Sequence, residues 1–286
     1  MNVSRREFML SAGAVATAMP SFAWDAIPPL KVRQKKIEVG AERPFSVLHV
    51  SDSHVARIDS RDTDAVYAFA KTRSRIGREL GEYYLDAAVH RAQCRKMKVI
   101  HSGDFVDFMG EANLEYASRR LCTDDIVACV GNHEYWLDAN HRETEAYKAQ
   151  TIPRIKGSWA GLPASTLRVD GVNFFVFDNA FETVTGAISE AFEKTVAEGL
   201  PIVMVCHVPL WAEACPHRRN LCGMPGSKRG DAVSCAFVDR ARHEPLVKAV
   251  LAGHVHKHLE FAFSDTAQEL VAGALFNGDC IEIEFS

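Results

Sequence analysis

The sequence has no apolar run long enough to cross a membrane as a helix. Along its 286 residues, no segment reaches the roughly 18 uninterrupted apolar residues that such a helix needs. Its 8 cysteines include no CxxC pair, which excludes a zinc ribbon and a thioredoxin-like redox site. Internal repeats and low-complexity segments are also absent, which excludes a repeat array.

Charge of one sign is not concentrated anywhere along the chain. The 33 basic and 37 acidic residues give a formal net charge of −4 and a pI near 6.3. There is therefore no electrostatic reason to expect nucleic acid as a partner. A composition of 47% hydrophobic and 24% charged residues is instead typical of an ordinary globular protein.

The first 23 residues are predicted to be an export signal rather than part of the fold. The arginine pair of "SRREFML" is followed by the short, weakly apolar "SAGAVATAM", which resembles a twin-arginine signal. This predicts export by the twin-arginine translocase to the periplasm or beyond, with a mature N-terminus between Met19 and Asp25. No cysteine follows the segment, so we expect no lipid anchor. A frayed amphipathic N-terminus is the alternative interpretation.

Apolar β-rich runs alternate with helical stretches over residues 24–286. Strands are predicted at 45–50, 98–104, 125–133 and 201–209, and over the tail from 259 to 285. A charged helical region is predicted over about 62–95, and a hairpin around Asp170-Gly171. Alternation of this kind predicts one layered α/β domain with helices outside the sheets.

Polar residues of a few types follow five of the predicted strands. In chain order they form "SDSH", "SGDFVD", "GNHE", the histidine of "CHVPL", and "GHVHKH". Because ligands bind beyond the carboxyl ends of strands in α/β sheets, we expect these residues to meet at one place. In a strand, residues i and i+2 point to the same face, so Asp52 and His54 are predicted to converge on one site, as are His254 and His256. Carboxylate, imidazole and amide groups suit Mn, Fe, Zn or Co, and the number of donors suits two ions.

The ordered set DxH, GD, GNHE, H and GHxH resembles the calcineurin-like metallophosphoesterase superfamily, whose members cleave phosphate esters at a two-metal site. The resemblance covers residues 45 to 257. It implies a four-layer α/β/β/α sandwich of two mixed β-sheets flanked by helices, with the metal site at the C-terminal ends of strands. The implied ligands are Asp52, His54 and His256 for the first metal, Asn132, His207 and His254 for the second, and Asp104 as the bridge.

The resemblance also implies catalytic residues. A metal-activated hydroxide would attack phosphorus while His133, beside Asn132, protonates the leaving oxygen as a general acid. Asp107 would orient His133 and favour its imidazolium, as in the serine/threonine protein phosphatases; a loop cap is the alternative interpretation. Those phosphatases carry an arginine after this aspartate, where this chain has Phe108. One phosphate-binding cation is therefore missing.

The segment between the last two histidine motifs is predicted to contribute substrate-binding residues. Its middle, "WAEACPHRRNLCGMPGSKRGDAVSC", has neither a helix nor a strand period, and a long loop of this kind is usually functional or disordered. Arg218 or Arg219 could supply the missing cation, bidentate to phosphate oxygens. An exposed loop with ordinary surface charge is the alternative interpretation.

The cysteines divide into two groups. Three fall in this loop, where an oxidising compartment would allow pairing, and Cys215 with Cys222 could close a small ring. The loop cysteines are Cys215, Cys222 and Cys235. Four of the remaining cysteines are predicted to be buried free thiols in core elements. They are Cys94, Cys122, Cys129 and Cys206.

Several polar residues near the motifs have structural interpretations. His49 and His101 are expected to be hydrogen-bonded within the fold, and His141 to be solvated. Glu134 would hold a ligating group or complement a helix dipole. Asn179 follows a predicted strand and would line the site or cap a turn.

The sequence therefore predicts an exported two-metal phosphoesterase acting on small-molecule phosphomonoesters or phosphodiesters. A nuclease is the closest alternative, but basic residues do not cluster with aromatic ones as single-strand grooves require. A non-catalytic metal-binding interaction module is the alternative from another class. Such a module should lack a ligand or the acid, whereas every ligand and His133 are present.

Overall fold

Eleven strands build two sheets in the described part of the chain. The computed structural model describes residues 28–73, 80–155, 157–227 and 231–286, so the predicted export signal lies outside the described residues. The strands are β1 Lys31–Ile37, β2 Phe45–Val50, β3 Lys98–His101, β4 Ile126–Ala128, β5 Ala164–Val169, β6 Val172–Phe177, β7 Ile202–Val205, β8 Val247–Ala252, β9 Leu259–Ala262, β10 Gln268–Val271 and β11 Asp279–Phe285.

Both sheets are mixed. The first has the order β1-β11-β2-β3-β4, with β2, β3 and β4 parallel and β11 antiparallel to β2. The second has the order β5-β6-β7-β8-β10-β9, with a parallel centre and antiparallel edges. The predicted hairpin is confirmed: β5 and β6 are joined by Asp170 and Gly171 with φ of 43° and 80°, as a primed two-residue turn requires.

Helices cover the outer face of each sheet. They are α1 Asp64–Arg73, α2 Gly81–Arg95, α3 Glu111–Thr123, α4 Glu145–Ile155, α5 Gly186–Val196 and α6 Ala232–Arg242. In α5 the buried residues Ile188, Phe192 and Thr195 recur at helical spacing, which gives the helix one apolar face for the sheet. No helix in the described part of the chain has the length and apolarity to cross a membrane.

Three apolar clusters separate the four layers. Leu85 and Leu121 pack from α2 and α3 onto the first sheet, while Phe192 and Phe237 pack from α5 and α6 onto the second. Between the sheets lies a third cluster drawn from both, including Ile283 of β11 with its neighbours from β7 and β8. The predicted α/β/β/α sandwich is confirmed.

The charged helical region predicted over 62–95 corresponds to α1 and α2, whereas two other elements differ from the sequence prediction. The edge strand β1 was not expected, because "KVRQKKI" has too few apolar residues to be recognised as a buried strand. Helix α6 begins inside the segment that has no recognisable period, where the Asp231 side chain accepts the backbone N–H of Ser234 as an N-cap.

The cysteine predictions are only partly right. All eight cysteines lie within the described residues and all are free thiols, so Cys215 and Cys222 do not close the ring that their spacing would allow. Both of these thiols are buried in the cluster under α6. Backbone pairing closes the loop instead: Trp211 N–H donates to Cys222 O, and Cys222 N–H donates to a carbonyl two residues before Trp211, each at 2.9 Å.

Two further cysteines are on the surface rather than in the core. Cys129 and Cys206 are buried, as predicted, whereas Cys94 and Cys122 are exposed. The latter two lie near the ends of α2 and α3, on helix faces turned away from the sheet. The apolar character of cysteine therefore does not indicate by itself which helix face Cys94 and Cys122 occupy.

Candidate metal centre

The predicted metal ligands lie on loops that follow parallel strands at one edge of the sandwich. Strands β2, β3 and β4 end there in the first sheet, and β7 and β8 end there in the second. The seven predicted ligands on these loops are Asp52, His54, Asp104, Asn132, His207, His254 and His256. Their placement agrees with the rule that ligands bind beyond the carboxyl ends of strands.

One group of ligand atoms joins the loops after β2, β3 and β8. Nε2 of His54 lies 3.1 Å from Nε2 of His256 and 3.5 Å from Oδ2 of Asp104. Oδ1 of Asp52 lies 3.2 Å from Nε2 of His256. One ligand atom from each of these four residues lies within 4.8 Å of the others, close enough to hold one ion.

A second group of ligand atoms shares Asp104 with the first. Oδ2 of Asp104 lies 3.2 Å from Nε2 of His207, which is itself 3.2 Å from Nδ1 of His254. The amide oxygen of Asn132 lies 3.1 Å from the same Nε2 atom. An imidazole, an amide and a carboxylate therefore surround Nε2 of His207. The carboxylate, that of Asp104, lies between the two groups.

The electrostatics of both groups favour bound cations. Oδ1 of Asp52 is buried and has no hydrogen-bond partner among the described residues, although a buried polar atom normally has one. Burial alone would lower the pKa of His54, yet the Asp107 and Asp52 carboxylates raise it to about 10. Asp104 likewise raises the pKa of His207 to about 9 against the effect of burial. This aspartate–histidine cluster suits a binuclear metal site.

The backbone conformation of the ligand loops differs from the strand geometry that the sequence spacing predicts. Five of the predicted ligands have left-handed φ values: 55° for Asp52, 47° for His54, 54° for Asp104, 71° for His254 and 55° for His256. The x-separated pairs therefore converge through tight left-handed turns after the strands, not through strand pleating. Each such residue costs about 1–3 kcal/mol, and strained backbone of this kind clusters at functional sites.

His133 faces the metal cluster with one nitrogen and Asp107 with the other. Its Nδ1 lies 2.9 Å from the carbonyl oxygen of Asp107 and 3.1 Å from Oδ1 of the same residue. Because a carbonyl only accepts, Nδ1 carries the proton and Nε2 is left facing Oδ2 of Asp104, 3.8 Å away.

The Asp107 carboxylate raises the pKa of His133, which is the expected direction, but it is not the largest influence on that pKa. Burial lowers the pKa of His133 and outweighs the Asp104 charge and the Asp107 hydrogen bond, which raise it. In the protein without substrate the neutral imidazole is therefore favoured.

Comparison with known proteins identifies the family. The calcineurin-like phosphoesterase profile matches residues 45–258, which is most of the chain. The chain belongs to this family. Among solved structures, a dimetal phosphatase from Danio rerio is similar with a TM-score of 0.51 and 13% identity, covering 82% of this chain and 88% of that one. This likeness supports the same fold.

Other solved structures are more distant. A putative 5′-nucleotidase from Staphylococcus aureus is 12% identical with a TM-score of 0.47, and the match covers 82% of this chain and 49% of that one. A purple acid phosphatase from yellow lupin seeds is 13% identical with a TM-score of 0.44, over 83% and 44% of the two chains. No curated protein matches the chain.

A cation that the sequence motifs of the family do not predict lies beside Asp107. Nε and Nη2 of Arg73, the last residue of α1, lie 3.0 Å and 2.7 Å from the two carboxylate oxygens of Asp107. Phe108, the residue where the protein phosphatases have arginine, is buried against Phe69 of α1, with ring centroids 6.0 Å apart. No local motif marks Arg73 in the sequence, so only the packing of α1 reveals it.

An aromatic stack flanks His133. Its ring centroid lies 3.7 Å from that of Trp136, which in turn stacks on His141 at 4.0 Å and 18°. His141, predicted to be solvated, is half-buried because one of its ring faces is covered. His49 and His101, in contrast, are buried and hydrogen-bonded to serine hydroxyls, as expected.

Two buried side chains position the ligand loops. Glu134 accepts backbone N–H bonds from both the Asp104 loop and the loop before Asn132. Oδ1 of Asn179 accepts the backbone N–H of His207 at 3.0 Å. Glu134 holds the two loops through their backbone, in agreement with the first of its two interpretations. Asn179 hydrogen-bonds to the backbone after β7 and begins a turn of its own, since Glu182 N–H donates to its carbonyl at 2.9 Å.

The predicted substrate-binding arginines are exposed. Nη2 of Arg218 donates to the carbonyl of Glu213 at 2.9 Å, and its guanidinium lies 5.6 Å from the ring centre of Trp211. Within the described part of the chain, neither Arg218 nor Arg219 forms a hydrogen bond or ion pair with a predicted metal ligand.

Proposed function

We propose that this family member is an exported hydrolase of phosphomonoesters or phosphodiesters whose metal ions share Asp104. The observation that carries the proposal is the position of Oδ2 of Asp104. It lies 3.5 Å from Nε2 of His54 in one ligand group and 3.2 Å from Nε2 of His207 in the other. One carboxylate with two oxygens is suited to bridging two ions.

The proposed ligands divide between the two groups. For the first ion they are Asp52, His54 and His256; for the second they are Asn132, His207 and His254. Mixed oxygen and nitrogen donors of this kind suit Mn, Fe, Zn or Co. A bound metal pair supplies Lewis acidity, which makes water a nucleophile near neutral pH and offsets the charge on phosphate oxygens.

His133 is the proposed general acid. Its Nδ1 proton is held by the Asp107 carbonyl at 2.9 Å, so Nε2 is the nitrogen that can give a proton to a leaving oxygen. Burial favours the neutral ring in the free protein. A phosphate ester bound beside Asp104 adds negative charge next to Nε2, which favours the protonated ring that an acid needs.

The loop arginines are proposed to contact an anionic part of the substrate. Burial, and then the charges of Lys257 and Arg219, lower the pKa of His217. His217 therefore lies in a basic environment shared by its own loop and by Lys257, the residue after His256. A basic loop at this edge of the metal centre supports substrate binding by Arg218 or Arg219.

Export through the twin-arginine translocase is proposed from the signal-like N-terminus. The first described strand begins at Lys31, so cleavage between Met19 and Asp25 leaves every described element in the mature protein. Replacing Arg5 and Arg6 with lysine should strand the precursor in the cytoplasm. Fractionation that finds the double variant exported normally would contradict the proposal.

The phosphoesterase proposal is tested by metal reconstitution and a substrate panel. The purified protein is loaded separately with Mn, Fe, Zn and Co and assayed on phosphomonoesters, phosphodiesters, nucleotides and single-stranded nucleic acid. We expect turnover of a small ester and little turnover of nucleic acid. Preferential cleavage of nucleic acid would favour a nuclease, and no turnover with any metal would favour a non-catalytic binding module.

A further inference from the structure

Arg73 is a nearly buried cation that pairs with a fully buried carboxylate at the edge of the metal centre. Its side chain is 18% exposed, and that of Asp107 is 0% exposed. The two groups meet in a fork, with Nε on one carboxylate oxygen at 3.0 Å and Nη2 on the other at 2.7 Å. A bidentate pair of this type fixes the plane of the carboxylate as well as its position.

The other partners of Asp107 do not fix that plane. Nδ1 of His54 lies 2.9 Å from Oδ1 of Asp107, and Nδ1 of His133 lies 3.1 Å from the same oxygen. Both imidazoles therefore use one carboxylate oxygen, and only Arg73 among the described residues hydrogen-bonds to Oδ2. Without Arg73, the carboxylate could rotate about its last torsion and release one imidazole.

Arg73 also lies close to His133 itself and to the indole beside it. Its guanidinium carbon lies 5.1 Å from the ring centre of Trp136, and the Trp136 ring lies 3.7 Å from that of His133 with the planes tilted by 33°. Nη2 of Arg73 lies 3.4 Å from Nδ1 of His133. The orientation of His133 is thus defined on one side by Asp107 and on the other by an indole that Arg73 covers.

We infer that Arg73 is a positioning residue for the proposed reaction: it fixes the Asp107 carboxylate and thereby holds His133 with Nε2 towards Asp104. The inference rests on the proposed function, because it assigns Arg73 to the acid of that reaction. The cation that holds Asp107 in this chain therefore lies on α1, whereas the residue directly after Asp107 is the buried Phe108.

The kinetic test compares Arg73→Ala and Arg73→Lys with Arg61→Ala. Arg61 is a suitable control because its ion pairs among the described residues, with Asp59 and Glu115, are on the surface. Arg73→Ala should lower kcat on alkyl phosphate esters by roughly 10-fold or more, below the 10²–10⁴-fold range of full general-acid loss. Esters of acidic phenols, which leave without a proton, should lose much less, and Arg73→Lys should fall between wild type and alanine.

Non-additivity separates positioning from a general structural effect. If Arg73 acts through His133, then Arg73→Ala should cause no further leaving-group-dependent loss in a His133→Ala background. Equal losses of Arg73→Ala on both ester types, or losses that multiply in the double variant, would overturn the inference. Arg73→Lys provides the same comparison if the alanine variant does not fold.

A spectroscopic readout tests the inference without turnover. Long-range ¹H–¹⁵N spectra of zinc-loaded, histidine-labelled protein should show His133 as a single Nδ1–H tautomer, assigned by its loss in His133→Ala. In Arg73→Ala and Arg73→Lys this signal should shift towards a tautomer mixture, and in Arg61→Ala it should not. An unchanged His133 signal in both Arg73 variants overturns the inference. A shifted signal in a protein that hydrolyses no ester instead supports the positioning and contradicts the proposed function.

Discussion

The carboxylate of Glu134 accepts the backbone N–H of Asp104, with 3.0 Å between N and Oε2. The same oxygen accepts the backbone N–H of Gly131 at 2.6 Å, and Oε1 accepts that of Val106 at 3.0 Å. A Cβ on Gly131 would lie 2.2 Å from Oδ1 of Asp104, so the two loops approach as closely as glycine allows. One buried side chain therefore connects the proposed bridging ligand to the loop that carries Asn132.

Glu134→Gln should weaken metal binding while the fold is retained. Glutamine presents an NH₂ group to backbone N–H donors, so at least one of the three bonds is lost and the two loops separate. Loss of such a supporting contact typically costs 10–100-fold in metal affinity, which zinc titration would measure. Glu115→Gln, on the exposed face of α3, is the control. Equal zinc affinity for the two variants would contradict the conclusion that Glu134 holds the two ligand loops together.

His133→Ala should show a loss that depends on the leaving group. Alkyl phosphate esters need a proton on the departing oxygen, so their turnover should fall by about 10²–10⁴-fold. Esters of acidic phenols should be affected much less, because they leave as stable anions. Steady-state kcat on both ester types checks this, and equal losses would indicate phosphate binding instead of acid catalysis.

Arg218→Ala and Arg219→Ala should weaken substrate use without changing metal content. A lost charged hydrogen bond costs about 1.5–3 kcal/mol, which would appear as a higher KM or a lower kcat/KM. Arg240→Ala, an arginine of α6 that pairs with Glu193 on the outer surface, is the control. Wild-type kinetics in both single variants and the double variant would exclude these arginines from substrate binding.

Glu269 should make the protein less stable as the pH rises. Its carboxyl is buried in β10, where Oε1 accepts the backbone N–H of Leu210 at 2.9 Å and Oε2 has no described hydrogen-bond partner. Burial raises the pKa of Glu269 well above its usual range. The folded protein therefore keeps a proton that the unfolded chain releases, and stability falls between the unfolded and the folded pKa.

Glu269→Gln tests this pH dependence, because it keeps an oxygen acceptor but cannot ionise. The free energy of unfolding of the variant relative to wild type should rise with pH above about 4.5, by up to roughly 1.4 kcal/mol per pH unit. Urea unfolding at several pH values measures the difference. A difference that stays constant with pH would show that Glu269 is ionised in the folded protein.

The residue pattern predicts a layered α/β domain and a cluster of ligand-type residues, and the family resemblance implies the two-sheet sandwich. Buried parallel strands are continuous apolar runs, so the polar residues that follow them, such as Asp104 after β3 and His207 after β7, can be recognised without a structure. The roles of these residues remain predictions. What the structure adds is their approach to within hydrogen-bond distance of one another.

Other features depend on contacts that are distant along the chain. β1 is stabilised by pairing with β11, in which Lys31 lies opposite Asp279, and no local pattern encodes that partner. Arg73 reaches Asp107 only because α1 packs on Phe108 and Trp136 through residues such as Phe69. The exposure of Cys94 depends on which face of α2 meets the sheet, and a single residue type does not determine that.

The metal content of Asp104→Asn tests the central claim most directly. Wild type, Asp104→Asn, His54→Ala and the exposed control Asp239→Asn are loaded with the same metal, desalted, and measured by elemental analysis per chain. If one carboxylate serves both ions, wild type and Asp239→Asn should retain two ions, His54→Ala about one, and Asp104→Asn fewer than either. Two ions retained in a folded Asp104→Asn protein would contradict the bridging role and the proposed two-metal reaction.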